Sequence, residues 1–370
     1  MIFHPGVLAL VTGSVIVLVM TLFSVILALR IIIGWDITKS TARQLILERQ
    51  TYLVAVIMKY VMGFQILSLF LFIYTADDIH QLFVGAMCAT GSLNANPIGW
   101  PVLFTKIVIF FLCCLWLAIN HIDELAEDYP LVRFKYKYLA AITPVIALET
   151  YWQLDYFLGL RANVITSCCS SLFSDEGVTV ASSLASVPVD TAMYIFYITA
   201  AIEIALLSAL LLKKTASPRL RYISGVSSFI FFIVSIMSII AFVSIYYYET
   251  PVHHCPFDIL QRQYMFIGYP LYGSLFGGVV FGLAAAVTEP FRKIASIRPA
   301  IDHIQRRWTK ISIVLIIVFI IIATWPVIFS NFKAYDGVLK PPTGGTGVKG
   351  DYPPSSLIFY CCVKEKSCVS

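Results

Sequence analysis

With 370 residues, 59% of them hydrophobic and only 13% charged, at a mean hydropathy of +0.84, the chain is far too apolar for a soluble domain. Its formal charge of +5 is carried by Lys and Arg residues that segregate to alternate connections, a pattern of membrane topology that argues against a nucleic-acid partner. Continuous apolar runs of about 20 residues, each long enough to cross roughly 30 Å of hydrocarbon, recur without the period-two alternation of a barrel.

The expected fold is therefore all-α, a polytopic membrane bundle of about eight helices near residues 8–33, 51–75, 101–121, 136–160, 190–212, 223–248, 265–287 and 311–330. The first run has no basic residue before it and carries Arg30 at its far end, so it reads as a retained helix and not a cleaved signal. Lys39, Arg43 and Arg49 follow it; later basic groups are Arg133, Lys135 and Lys137, then Lys213, Lys214, Arg219 and Arg221, then Arg292 to Lys310. These connections are expected to face the cytoplasm. The opposite loops, 76–100, 161–189 and 249–264, hold only Arg161 and Arg262, which places both termini outside the cytoplasm.

The second span carries Lys59 about nine residues in, an expensive place for a charge. Beyond it, Asp77, Asp78 and His80 mark either a solvated helix end or an imidazole with carboxylate partners. Apolar Leu82, Phe83 and Ala86 suggest a short interfacial helix that would set Cys88 at the membrane surface. The third span contains Lys106 and the packing cysteines Cys113 and Cys114; the fourth contains Glu149 and Asp155. Two pairings are expected: Lys59 with Glu149 or Glu203, the latter in the fifth span, and Lys106 with Asp155. The loop after the fourth span holds the adjacent pair Cys168 and Cys169, too cramped to bridge each other readily.

The sixth span ends in Tyr246-Tyr247-Tyr248, read as an interfacial belt, and is followed by His253-His254-Cys255. Cys255-Pro256-Phe257-Asp258 puts Asp where a Cys-x-x-Cys motif needs its second cysteine. The seventh span is rich in glycine, with small-xxx-small pairs at Gly273 to Gly277 and Gly278 to Gly282, and its start, Gly268 to Gly273 around Pro270, is expected to bend. No internal repeat is legible. Residues 1–330 form the expected membrane domain; 331–370, with Pro341-Pro342 and a Gly-Thr stretch, read as a flexible extracytoplasmic tail that holds Cys361, Cys362 and Cys368.

Motifs for ATP hydrolysis, serine hydrolysis, zinc proteolysis and haem attachment are missing, so the outward cysteines carry the functional reading. Cys88, Cys168, Cys169 and Cys255 can clip loops as structural disulfides, run a thiol-disulfide relay, or bind a soft ion such as copper or zinc with His80, His253, His254 and Cys255 as ligands. The expectation is a bacterial inner-membrane protein, embedded in the lipid bilayer, whose periplasmic face handles thiols or soft metal with a periplasmic thiol or metal-carrier protein as partner. A secondary transporter or permease using Lys59, Glu149 and Glu203 and a non-catalytic scaffold subunit with structural disulfides remain the alternatives.

Overall fold

A computed structural model of the chain describes residues 3–35, 41–161, 188–213, 217–250, 253–330 and 332. The chain divides into a unit Met1–Lys333 and a unit Ala334–Ser370, and the expected tail lies outside the described residues apart from Phe332.

The described residues are helical throughout their regular structure. The long helices are α1 (Pro5–Gly34), α2 (Ala42–Asp78), α4 (Gly99–Asp123), α5 (Val132–Gly159), α6 (Val189–Leu212), α7 (Pro218–Ser238), α9 (Gly268–Val287) and α10 (Arg298–Phe329). Short α3 (Ala89–Asn94) precedes α4, and α7 runs through a π-turn, Ile239–Val243, into α8 (Ser244–Tyr248). Seven helices, counting α7 to α8 as one, are long and apolar enough to cross a membrane. The eighth, α5, is long but interrupted by Arg133, Lys135, Lys137, Glu149 and Asp155.

Local signals set the helix starts. Thr41 accepts a hydrogen bond from Gln44 N at 3.3 Å, and Ser217 from Leu220 N at 3.3 Å with Pro218 behind it, which satisfies amides the first turn leaves open. Buried positions then recur at alternating spacings of three and four. In α1 they are Val7, Leu10, Ser14, Val17, Thr21, Ser24, Ala28 and Ile31, the seam of left-handed packing. The outward side of α1 shows Ile16, Val19, Phe23 and Ile26. An apolar exterior around a partly polar seam reverses the pattern of a soluble bundle and suits surrounding hydrocarbon.

The helices form two four-membered rings with the same order of neighbours. In the first, α1 packs on α2, α2 on α4, α4 on α5 and α5 on α1; in the second, the cycle is α6, α7, α9, α10. Aromatic rings join them: Phe111 and Phe232 centroids are 4.9 Å apart, and Phe276 lies 5.0 Å from both Phe110 and Phe232. The duplication of architecture is a structural finding that residue identities conceal.

One end of the molecule collects the basic side chains. There Arg133 reaches the Trp35 carbonyl, Arg292 pairs with Asp302 at 2.7 Å, and Arg306 donates to Leu211 O at 2.9 Å. At the other end His4 meets Asp78 at 3.0 Å, Ser330 donates to Glu249 at 3.0 Å, and the connections bearing Cys88 and Cys255 converge.

Several local expectations change. Only Ile79–Leu82 forms a turn of 3-10 helix after α2, and Cys88, just ahead of α3, is fully buried within the protein. Helix α9 is regular from Gly268 onward, since Pro270 sits in its first turn, where no amide partner is needed. Tyr246 and Tyr248 are buried and take no part in an interfacial belt.

Candidate thiol and metal site

The second connection of each ring supplies one thiol. Cys88 precedes α3 between α2 and α4, and Cys255 lies in the coil between α8 and α9. Separated by 167 positions in sequence, their Sγ atoms are 3.3 Å apart, and both residues are 0% exposed.

Polar contacts hold both loops. Asp77 Oδ1 accepts from Ala89 N at 3.2 Å and from Gln261 Nε2 at 3.1 Å, while Gln261 also donates to Met87 O at 3.2 Å. The end of α2 thus ties the Cys88 segment to the Cys255 segment. Tyr248 donates to Cys255 O at 2.5 Å and accepts from Ile259 N at 2.9 Å; Tyr272 donates to Pro256 O at 2.7 Å. These bonds shape the turn 255–258 so that Phe257 N points at Cys255 Sγ, at 3.4 Å.

That turn delivers Asp258 to the sulfurs. Cys255 Sγ donates to Asp258 Oδ1 at 3.3 Å, and one ligand atom from each of Cys88, Cys255 and Asp258 lies within 4.8 Å of the others. Burial pushes the Asp258 carboxyl up to about 6, against the opposing pull of its hydrogen bond with His253. His253 Nε2 lies 2.5 Å from Asp258 Oδ2 and its ring stands against Tyr248, centroids 4.8 Å apart. Thr90 Oγ1 approaches Cys255 Sγ at 3.5 Å.

The histidines occupy separate roles. His253 orients the carboxylate; His254 Nδ1 lies 3.0 Å from the carbonyl of Ile240 in the π-turn. His80 contacts the Asp77 carbonyl and is 3.9 Å from Asp77 Oδ1. Cys168 and Cys169 lie outside the described residues, as do Cys361, Cys362 and Cys368. Cys113 is buried within α4 and Cys114 half-buried.

The decisive residue missing from the sequence-based candidates is Asp258. Its position in Cys-Pro-Phe-Asp counts against a Cys-x-x-Cys motif, yet the same spacing brings its oxygen to the sulfur. A residue three places from a cysteine returns to it in a tight turn, whichever ligand type it bears.

The intramembrane charges pair otherwise than expected. Lys59 binds Glu124 at 2.7 Å on a partly exposed surface, because α4 ends level with it at the basic end. Lys106, not Lys59, meets Glu149, at 2.6 Å and fully buried, and Lys106 donates to Ser68 at 3.3 Å while Gln65 donates to Glu149 at 3.4 Å. Asp155 is exposed and therefore does not partner Lys106. Glu203 lies in the other ring, where Ser228 donates to it at 2.6 Å. Lys59, Glu149 and Glu203 thus each have a different partner: Glu124, Lys106 and Ser228.

Comparison with protein-family models, curated proteins and solved structures finds no match for this chain.

Proposed function

We propose that the chain is a multi-pass protein of a bacterial inner membrane, with all eight long helices crossing, that binds a soft metal ion of the zinc or copper class at its periplasmic end. The observation that carries it is the meeting of Cys88, Cys255 and Asp258. A tetrahedral ion with bonds to sulfur of about 2.3 Å separates two sulfurs by roughly 3.8 Å, whereas a disulfide brings them to about 2.05 Å. At 3.3 Å the two sulfurs are close enough to be drawn onto one ion. Thiolates suit soft ions, the carboxylate supplies a third donor, and His253 behind Asp258 has the position of an outer-sphere partner. The basic residues at the opposite end support the periplasmic assignment.

Sulfur-sulfur contact also favours a second reading, in which the two thiols exchange with a disulfide of a periplasmic protein. Cys88 and Cys255 would lose two electrons and two protons and the partner disulfide would gain them. Complete burial of both sulfurs weighs against it, since exchange needs in-line access to one of them.

Titration of the reduced, purified full-length protein with Zn2+ against a chromophoric chelator tests the metal reading. One equivalent should bind, and Cys88→Ser and Cys255→Ser should each lose it. Equal affinity in wild type and both variants places the metal elsewhere and refutes the assignment.

A further inference from the structure

The second ring contains a buried carboxylate with no basic partner, and it stands independently of the thiol site. Glu203, in the middle of α6, is 0% exposed and forms no ion pair among the described residues. Its Oε1 accepts from Ser228 Oγ at 2.6 Å, Ser227 supplies a second hydroxyl to the carboxylate, and Oε2 is buried. The charged groups of the packed elements are engaged at the basic end: Arg221 with Glu289 at 3.2 Å, Arg292 with Asp302 at 2.7 Å, Arg306 with Leu211 O at 2.9 Å. His303 and Lys310 of α10 belong to that same end, and Asp190 starts α6 at the other.

Through Ser228 the carboxylate is linked to further oxygen atoms. Ser228 Oγ shares its proton between Glu203 and Ser224 O, the latter at 3.0 Å, so it can turn its hydrogen to the carbonyl and offer a lone pair. Ser312 Oγ donates to Gly278 O at 2.7 Å, which leaves its own lone pairs available. Gly282 draws these groups together: a Cβ there would stand 2.4 Å from Ser228 Oγ and 3.3 Å from Ser312 Oγ. Ser224 and Gly282 also line a small cavity, with room for roughly one water, that continues to Arg221, Gln305 and Thr309.

We propose that Glu203, Ser228 and Ser312, with the carbonyls of Ser224 and Gly278, form a hard-cation site at which Na+ and H+ compete. An ionised carboxylate in a dry core needs a counter-charge, and neutral hydroxyl and carbonyl oxygens are the ligands hard cations prefer. One carboxylate balances one positive charge, so a monovalent ion fits and a divalent ion leaves an uncompensated charge.

Thermal unfolding of the full-length protein in detergent, in NaCl against equimolar choline chloride, tests the site. Na+ should raise the midpoint, more so as pH rises and protons compete less, and Glu203→Gln should abolish the shift. Ser312→Ala, which keeps the carboxylate, should raise the Na+ concentration for half effect at least tenfold. In a second arm, dicyclohexylcarbodiimide, which reacts with protonated buried carboxyls, should modify Glu203 in choline chloride and be blocked by NaCl, as read by peptide mass spectrometry. A Na+ shift that persists in Glu203→Gln, no Na+-specific shift in wild type, or labelling absent in choline or unchanged by NaCl overturns the proposal.

Discussion

Charge segregation leads one to expect Cys88 and Cys255 in loops on one side of the membrane, but their contact depends on how the two rings dock. That docking rests on Phe110, Phe111, Phe232 and Phe276, whose identities in sequence say only that they are apolar. Asp258 and its partner His253 were visible as residues and illegible as a pair, because the bonds from Tyr248 and Tyr272 that set the turn come from two different helices. If His253 orients the carboxylate ligand, His253→Ala should weaken Zn2+ binding about 10–100-fold without abolishing it, the usual cost of removing an outer-sphere partner. Chelator competition reads this directly, and an unchanged affinity removes His253 from the site. The buried Lys106 and Glu149 pair supplies a separate expectation. Lys106→Met strands a charge in the core and should cost about 3–5 kcal/mol, whereas Lys106→Met with Glu149→Met should recover most of it. Thermal unfolding midpoints of the single and double variants decide; a double variant as unstable as the single would mean the pair is not the relevant unit.

At the scale of elements, hydropathy located the helices and missed their lengths. Helix α2 begins at Ala42 and α10 at Arg298, ahead of the apolar stretches near 51 and 311, since helices continue past the hydrocarbon when tertiary contacts hold the extra turns. At α2 that contact is Leu47, packed in one core with Ile31 and Trp35, and at α10 it is Ile301 and Ile304 packed against Ile119 and Ile122. Glycine in α9 separates into two kinds that sequence does not distinguish. A Cβ on Gly278 would lie 2.8 Å from Ile316 Cγ1 and 3.3 Å from the Ile316 amide, while one on Gly273 meets nothing within 4 Å. Gly278→Val should therefore separate α9 from α10 and lower the unfolding midpoint, and Gly273→Ala should hold the midpoint or raise it, helix propensity contributing up to about 1 kcal/mol of stability. The reverse ranking would show that α9 packs through the other face.

For the molecule as a whole, the two rings of four helices explain how thiols and basic residues reach opposite ends. Each ring contains an even number of helices, so if all cross, both rings start and finish on the same side and their second connections emerge together. Gln263, exposed near the thiols, and Ser217, exposed at the basic end, are suitable reporters. In intact cells an impermeant maleimide should label Gln263→Cys and spare Ser217→Cys until the membrane is opened; the opposite result inverts the topology. The membrane character was legible because it resides in composition, and the paired rings were not, because the shared order of neighbours leaves no common residue pattern.

The most direct test of the metal assignment is a thiol count on the protein purified from its native membrane, by alkylation and peptide mass spectrometry with and without chelator and reductant, alongside metal analysis. About one equivalent of zinc or copper is expected, with Cys88 and Cys255 shielded from alkylation until the chelator is added and insensitive to reductant. A Cys88–Cys255 cross-linked peptide that only reductant opens, in a protein without metal, would contradict it.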